Sequence, residues 1–279
     1  KPASYDDFYN PQVGDRPDLL GDPRTRQAIL HCLDRQTMLE STVGGQTQVW
    51  QSFLPFGKSI VGQNAGFSYD PQKAGELLQA VGWVDHDRDP STPLVAYAVA
   101  NLPAGTQLAL ELLVSPSGFH QDLAQIIQAN LSACGIGMTV TSLPEDVLYA
   151  PGPEGPLFGR QFDLALIAWQ PHPALDCMYY QSAAIPSSEN LWIGTNIAGL
   201  VSEVYDRTCQ DAILSLPGVY DQAVLKAEEA FLEILPAVPL FSVPNVMILP
   251  ASDCFGAKIQ TELEFFMQIP SLDPKIICP

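Results

Sequence analysis

Residues 162–180 read FDLALIAWQPHPALDCMYY, and the fold turns on how this stretch divides. From Asp163 to Trp169 the chain is almost continuously apolar, and it then stops at prolines, a histidine, an aspartate and paired tyrosines. A short apolar run with that abrupt end has the pattern of a strand buried on both faces, as in a parallel sheet covered by helices. Ligands of open α/β sheets sit beyond the carboxyl ends of the strands. Trp169, His172, Asp176, Tyr179 and Tyr180 therefore fall where aromatic walls and a few polar groups converge. With Asn190 and Trp192 downstream, Trp169, His172, Asp176 and Tyr179 form the candidate ligand-binding set. The plainer reading of Trp169 and the tyrosines is that they only plug a sheet edge.

Upstream, Leu108 to Val114 is strand-like, Gln121 to Cys134 carries Leu123, Ile126, Ile127 and Leu131 on one helical face, and Gly137 to Leu143 is strand-like again. This β-α-β order predicts an α/β fold with a mixed, mainly parallel sheet flanked by helices and right-handed crossovers. Asp22-Pro23 and Asp70-Pro71 read as helix starts, because Asp caps free N–H groups and Pro takes a first-turn place that needs no donor. The first helix runs through Asp34 with Ala28, Ile29, Cys32 and Leu33 on its apolar face. The second stops at Gly82. Downstream, two more helices carry Val201 to Ala212 and Ala223 to Ile234, closed by Pro217 and Pro236. Val238 to Leu249 reads as a strand broken by Pro239 and Pro244, at an edge or at a crossing between lobes. One shared core is expected for all of these elements.

The chain has 279 residues and is 47% hydrophobic, enough for a substantial core, with no apolar run of the ~18 residues a membrane span needs. Its 13 Lys+Arg against 31 Asp+Glu give a net charge of −18, which repels phosphate backbones, so nucleic acid is not an expected partner. Six cysteines at 32, 134, 177, 209, 254 and 278 include no C-x-x-C pair, which fits disulfides or buried thiols rather than a zinc cluster. Cys32 and Cys134 read as small core residues, and a disulfide suits Cys254 and Cys278. Asp85-His-Asp-Arg-Asp89 alternates carboxylates like a calcium loop. Pro90 and Ala96 stand where such a loop requires glycine and glutamate, so a solvated turn is expected. No G-x-S-x-G, G-x-G-x-x-G, phosphate loop or H-E-x-x-H occurs. No cofactor, metal or catalytic residue is therefore expected, and binding is favoured over catalysis.

Several segments together resemble the extracellular solute-binding proteins of the oligopeptide, dipeptide and nickel class, family 5, that serve ABC importers. They are Asp22 to Ile29 with Asp34-Arg35, Tyr69 to Ala74 with Leu77-Leu78 and Gly82-Trp83, Gln128 to Val140, Phe162-Asp163 with Trp169, and Lys226 to Pro239. The resemblance implies a two-lobe, periplasmic-binding-protein-like clamp. Residues 1–21 would be an extended approach segment, 22–240 the ligand-binding second lobe, and 241–279 a return segment belonging to the other lobe. It also implies a peptide-like or other small-solute ligand, ABC permease partners, the N-terminal lobe of the same protein as a further partner, and an extracytoplasmic, membrane-tethered location. In the family's peptide binders an acidic residue three positions after the strand tryptophan holds the ligand's amine. Here that position is His172, with Asp176 a few residues on. The alternatives are a ligand-sensing regulatory protein reusing the same lobe, and a hydrolase.

Overall fold

The first three helices each begin where an aspartate satisfies N–H groups that the helix cannot. In the computed structural model, which describes residues 17–54, 59–60, 67–168 and 176–243, Asp22 accepts from Arg24 N at 2.8 Å and opens α1 (Pro23–Cys32). Asp34 accepts from Thr37 N at 3.0 Å and opens α2 (Arg35–Val43), which Gly44 ends in the left-handed conformation. Asp70 opens α3 (Pro71–Val81), and Gly82 closes it at φ 112°. A Cβ on Gly82 would lie 2.7 Å from the Ala98 carbonyl carbon, so both its conformation and the close approach require glycine.

The short antiparallel pair β1 (Trp83–Val84) and β2 (Val95–Ala96) follows. Between them the carboxylates of Asp85, Asp87 and Asp89 accept from the N–H groups of Arg88, Asp89 and Ser91, so this exposed stretch closes its own turn. Then come β3 (Ala109–Val114), α4 (Gly118–Ala133), β4 (Gly137–Ser142), the single turn α5 (Glu145–Leu148) and β5 (Leu164–Ala165). The three strands are parallel in the order β4-β3-β5, which is the expected mainly parallel sheet with helical crossovers. After a series of 3-10 turns, α6 (Glu203–Leu214) and α7 (Tyr220–Ile234) form an antiparallel hairpin.

In its elements and its cysteines the structure departs from the sequence reading at four places. The strand expected from Asp163 to Trp169 is a two-residue ladder on one side of β3, half-buried rather than sheathed. Its partner ends first: after Leu166 N bonds Leu113 O at 2.9 Å, β3 turns away at Pro116, which has no N–H to give. Asp163 substitutes for ladder at the other end by accepting Glu111 N at 2.8 Å. The first helix ends at Cys32 and a separate α2 follows it. Cys32 and Cys134 are not lone core thiols but a disulfide, and Cys177 pairs with Cys209. Of the strand expected over 238–249, a single bridge from Phe241 to Val49 lies among the described residues. Cys254 and Cys278 fall outside them.

The chain through Ser242 is one compact unit whose core is divided rather than shared. The largest cluster joins Trp83, Leu78, Leu110, Leu112, Leu131 and Ile136 around the sheet. A second joins Phe53, Cys177, Tyr205, Cys209, Phe231 and Leu235 around the α6–α7 hairpin. Helix α1 is the wall between them, with Ile29 and Cys32 on the sheet side and Leu30 on the hairpin side. Each such side chain contributes roughly 1.5–3 kcal/mol by leaving water. Two buried or half-buried arginines tie the seams through backbone carbonyls. Arg26 donates to Ile234 O, Leu20 O and Gly21 O, and Arg35 to Trp50 O, Phe67 O and Pro239 O. Burial lowers the Arg35 guanidinium to about 10, still fully charged at neutral pH.

Candidate functional site

Parallel pairing puts the carboxyl ends of β3, β4 and β5 at one edge, and polar side chains collect there. Ser115 follows β3 and is 2% exposed; Ser117 caps α4; His120 and Gln121 lie in the first turn of α4. The hydroxyls of Ser115 and Ser117 lie 2.7 and 2.6 Å from His120 Nδ1. Gln121 Nε2 donates to Ser115 O at 3.1 Å and to Ser142 Oγ, at the end of β4, at 3.0 Å. Burial pushes the His120 imidazolium down more than the nearby Glu145 carboxylate holds it up, so the ring is neutral near pH 7. In the tautomer protonated on Nε2 the neutral ring accepts from a serine hydroxyl at Nδ1 and can donate to an oxygen acceptor from Nε2; in the other tautomer Nδ1–H donates to a serine oxygen. Both hydroxyls share one ring nitrogen, and the Ser117 hydroxyl also accepts from His120 N at 3.3 Å. That is capping geometry suited to recognition rather than to activating a nucleophile.

A third cluster joins Leu113, next to the end of β3, to Leu148, Leu157 and Ile197. Ile197 ends a block, residues 176–197, that follows the loop after β5. The block is pinned to α6 by the Cys177–Cys209 disulfide, by Tyr205 OH donating to Cys177 O at 2.8 Å and by Ser182 N donating to Asp206 Oδ1 at 2.8 Å.

Of the sequence-predicted residues, Trp169 and His172 lie outside the described residues. Asp176 begins the 3-10 turn Asp176–Tyr180. Tyr179 is half-buried on that turn, with its carbonyl accepting from Thr195 Oγ1 at 3.1 Å. Tyr180 turns inward, edge-on to Phe231 at 5.2 Å. Asn190 accepts from Ser187 N at 2.9 Å and donates to Ile185 O at 2.7 Å, so its amide closes its own turn. Trp192 lies on Gly152, where a Cβ would run into the indole. The block carries Tyr179, Asn190 and Trp192, with Asn190 and Trp192 engaged in holding loops.

Sequence reasoning missed the Ser115–Ser117–His120–Gln121 cluster. Its available signal was S-P-S-G directly after a strand, a serine cap that sets the helix start before Gln121. Among the described residues no group of three or more His, Cys, Asp or Glu is arranged to hold a metal ion. A groove of about 250 Å³ between α6 and α7, lined by Asp211, Ser215, Gln222 and Lys226 among others, shares no residue with the sheet-edge cluster.

The family model described as bacterial extracellular solute-binding proteins, family 5, middle, matches residues 4–189. The nickel-binding periplasmic protein of Escherichia coli K12 is 27% identical over 164 residues, 57% of this chain and 29% of that protein. A putative ABC transporter peptide-binding protein of Brucella ovis is 24% identical over 102 residues, 37% of this chain and 19% of the relative. The oligopeptide-binding protein of Thermus thermophilus, solved with a pentapeptide, superposes with a TM-score of 0.67 at 25% identity, over 80% of this chain and 38% of that one. NikZ of Campylobacter jejuni, solved with Ni(L-His), shares the fold at a TM-score of 0.63 and 18% identity, over 80% of this chain and 42% of its own. The chain thus spans less than half the length of these proteins. With the family model covering more than half of it, the chain belongs to the bacterial extracellular solute-binding proteins of family 5.

Proposed function

We propose that this chain is the ligand-binding lobe of an extracytoplasmic solute-binding component of an ABC importer, and that its ligand sits over the carboxyl edge of the β4-β3-β5 sheet. The observation that carries this is the Ser115–Ser117–His120 cluster at that edge; in support, the block bearing Tyr179 follows β5 in the chain and its last residue, Ile197, packs with Leu113 near the end of β3. His120 Nε2 supplies a donor for a carboxylate or carbonyl oxygen of a peptide-like solute. Trp169 and His172, which follow β5 in sequence, and Asp176, the first residue of the block, are our candidates for the other side of the ligand. Residues 22–240 form the lobe, preceded by an approach segment and followed from 241 by a return segment to the other lobe. That lobe and the permease are its partners, and the full-length protein is tethered outside the membrane. Two disulfides favour the same compartment, since such bonds persist where the environment is oxidising.

No step of catalysis is assigned. With His172 at the position where family peptide binders carry an acid, a free peptide amine lacks its usual partner, and losing the partner of a buried charge costs about 3–5 kcal/mol. The full-length protein therefore binds a blocked or amine-free solute at least as well as a free dipeptide, unless Asp176 takes the role. Calorimetry of wild type, His172→Asp and Asp176→Asn on a dipeptide and its N-acetyl form tests this. A strong wild-type preference for the free amine that survives Asp176→Asn overturns the amine argument. Unchanged affinity for every peptide and chelate probe on His120→Ala overturns the placement of the ligand.

A further inference from the structure

We propose that Asn196 is the positioning residue of the ligand-binding surface: it holds the backbone of Tyr180 and Gln181 and thereby sets the place of Tyr179. This rests on the reading that the sheet edge binds the solute. Asn196 is fully buried. Its Nδ2 donates to Tyr180 O at 3.0 Å, Gln181 O at 3.1 Å and Leu200 O at 3.0 Å, while its backbone N donates to Ala184 O at 2.9 Å. Its Oδ1 is buried without a hydrogen-bond partner among the described residues, so the side chain acts entirely through its donor end. Thr195 next to it takes the carbonyl of Tyr179. Two adjacent residues therefore hold three consecutive carbonyls, from Tyr179 to Gln181.

Those carbonyls need holding because the turn they belong to is weak. Asp176–Tyr180 is a 3-10 helix of five residues, with poorer hydrogen-bond geometry than an α-helix. The disulfide and Tyr205 fix it at Cys177. Consecutive residues of a 3-10 helix point roughly 120° apart. With Tyr180 committed to Phe231, Tyr179 is turned away from the hairpin core. Its direction follows from the rotation of the turn, which the Asn196 amide sets. A fixed wall also saves the entropy of ordering a loop when ligand arrives.

The test uses the full-length protein, Asn196→Ser and Asn196→Asp, with and without Tyr179→Ala, and a pentapeptide as probe. Asn196→Asp puts an acceptor against three carbonyls, while Asn196→Ser is small enough to fold. For Asn196→Ser, amide hydrogen exchange rises across residues 178–184 and stays at the wild-type rate in β3. Pentapeptide affinity falls about tenfold, the equivalent of one lost buried hydrogen bond. In the Tyr179→Ala background the same substitution changes affinity less than about twofold, because the residue acts through Tyr179. Wild-type exchange across 178–184, or an equal loss of affinity in both backgrounds, overturns the proposal. If wild type binds no probe, the functional reading fails instead, and the exchange measurement still decides whether Asn196 holds the turn.

Discussion

The sheet core and the hairpin core bury similar side chains, yet they are organised by different kinds of interaction. Around the sheet, order comes from ladders: β3 pairs with β4 over six residues, and α4 crosses between them with Leu123, Ile127 and Leu131 facing in. Around the α6–α7 hairpin, order comes from side chains gripping distant backbone. Tyr205 takes Cys177 O, Arg26 takes Ile234 O, and the fully buried Glu228 accepts from Ser52, Ser59 and Ile60 N. A disulfide closes each region, across 102 residues in the sheet core and across 32 beside the hairpin. Repeating contacts tolerate the loss of one member, whereas single grips over long separations do not.

That contrast can be broken by experiment, beginning with the largest effect. On loop-closure entropy, removing Cys32–Cys134 by paired serine substitution costs about 4.7 kcal/mol and removing Cys177–Cys209 about 3.7 kcal/mol. Denaturant unfolding of both variants checks the difference. Equal losses, or the larger loss for Cys177–Cys209, mean that native packing outweighs loop length. Next, Glu228→Ala takes the acceptor from the buried Ser52 hydroxyl, the half-buried Ser59 hydroxyl and Ile60 N, at about 2–3 kcal/mol. Its signature is faster exchange at Ile60 with β3 protection intact; uniform acceleration sinks the picture of a local grip. In the sheet region, Asp70→Ala removes one cap and costs only about 1 kcal/mol, measured as a shift in denaturant midpoint.

The smallest effect is on pH. Burial lowers the pKa of both His31 and His120 from the ordinary 6.5. A depressed histidine means that the unfolded chain binds more protons than the native one as pH falls below about 6.5. The stabilisation is thus complete above that value and is lost on acidification towards the native pKa. Melting temperature therefore declines from pH 7 to pH 5. His31→Gln removes part of that slope, provided the glutamine amide replaces Nδ1 in the 2.8 Å contact with Ser68 O. A slope unchanged in His31→Gln/His120→Gln would assign it to other groups.

The same contrast explains what could be read beforehand. Leu123, Ile127 and Leu131 announce α4, and Asp70-Pro71 with Gly82 brackets α3, because ladders and caps repeat at short, fixed spacings. The hairpin helices were legible for that reason too. The divided core was not, since Leu30 and Ile29 are neighbours in sequence and differ only in which side of α1 meets which layer. Asn190 and Trp192 could be picked out as polar and aromatic, but their engagement with Ile185 O and Gly152 depends on how the block folds back.

Sequence alone determined the α/β class and the parallel β-α-β order, because period, caps and chain order are local properties. Tertiary structure alone decided that β5 is two residues long, that Cys32 meets Cys134, and that Ser115, Ser117 and His120 converge on one ring nitrogen. It also decided that Asn196 reaches the carbonyls of Tyr180, Gln181 and Leu200. Each of those depends on where two separately specified segments stop relative to one another, and no residue pattern within either segment encodes that distance.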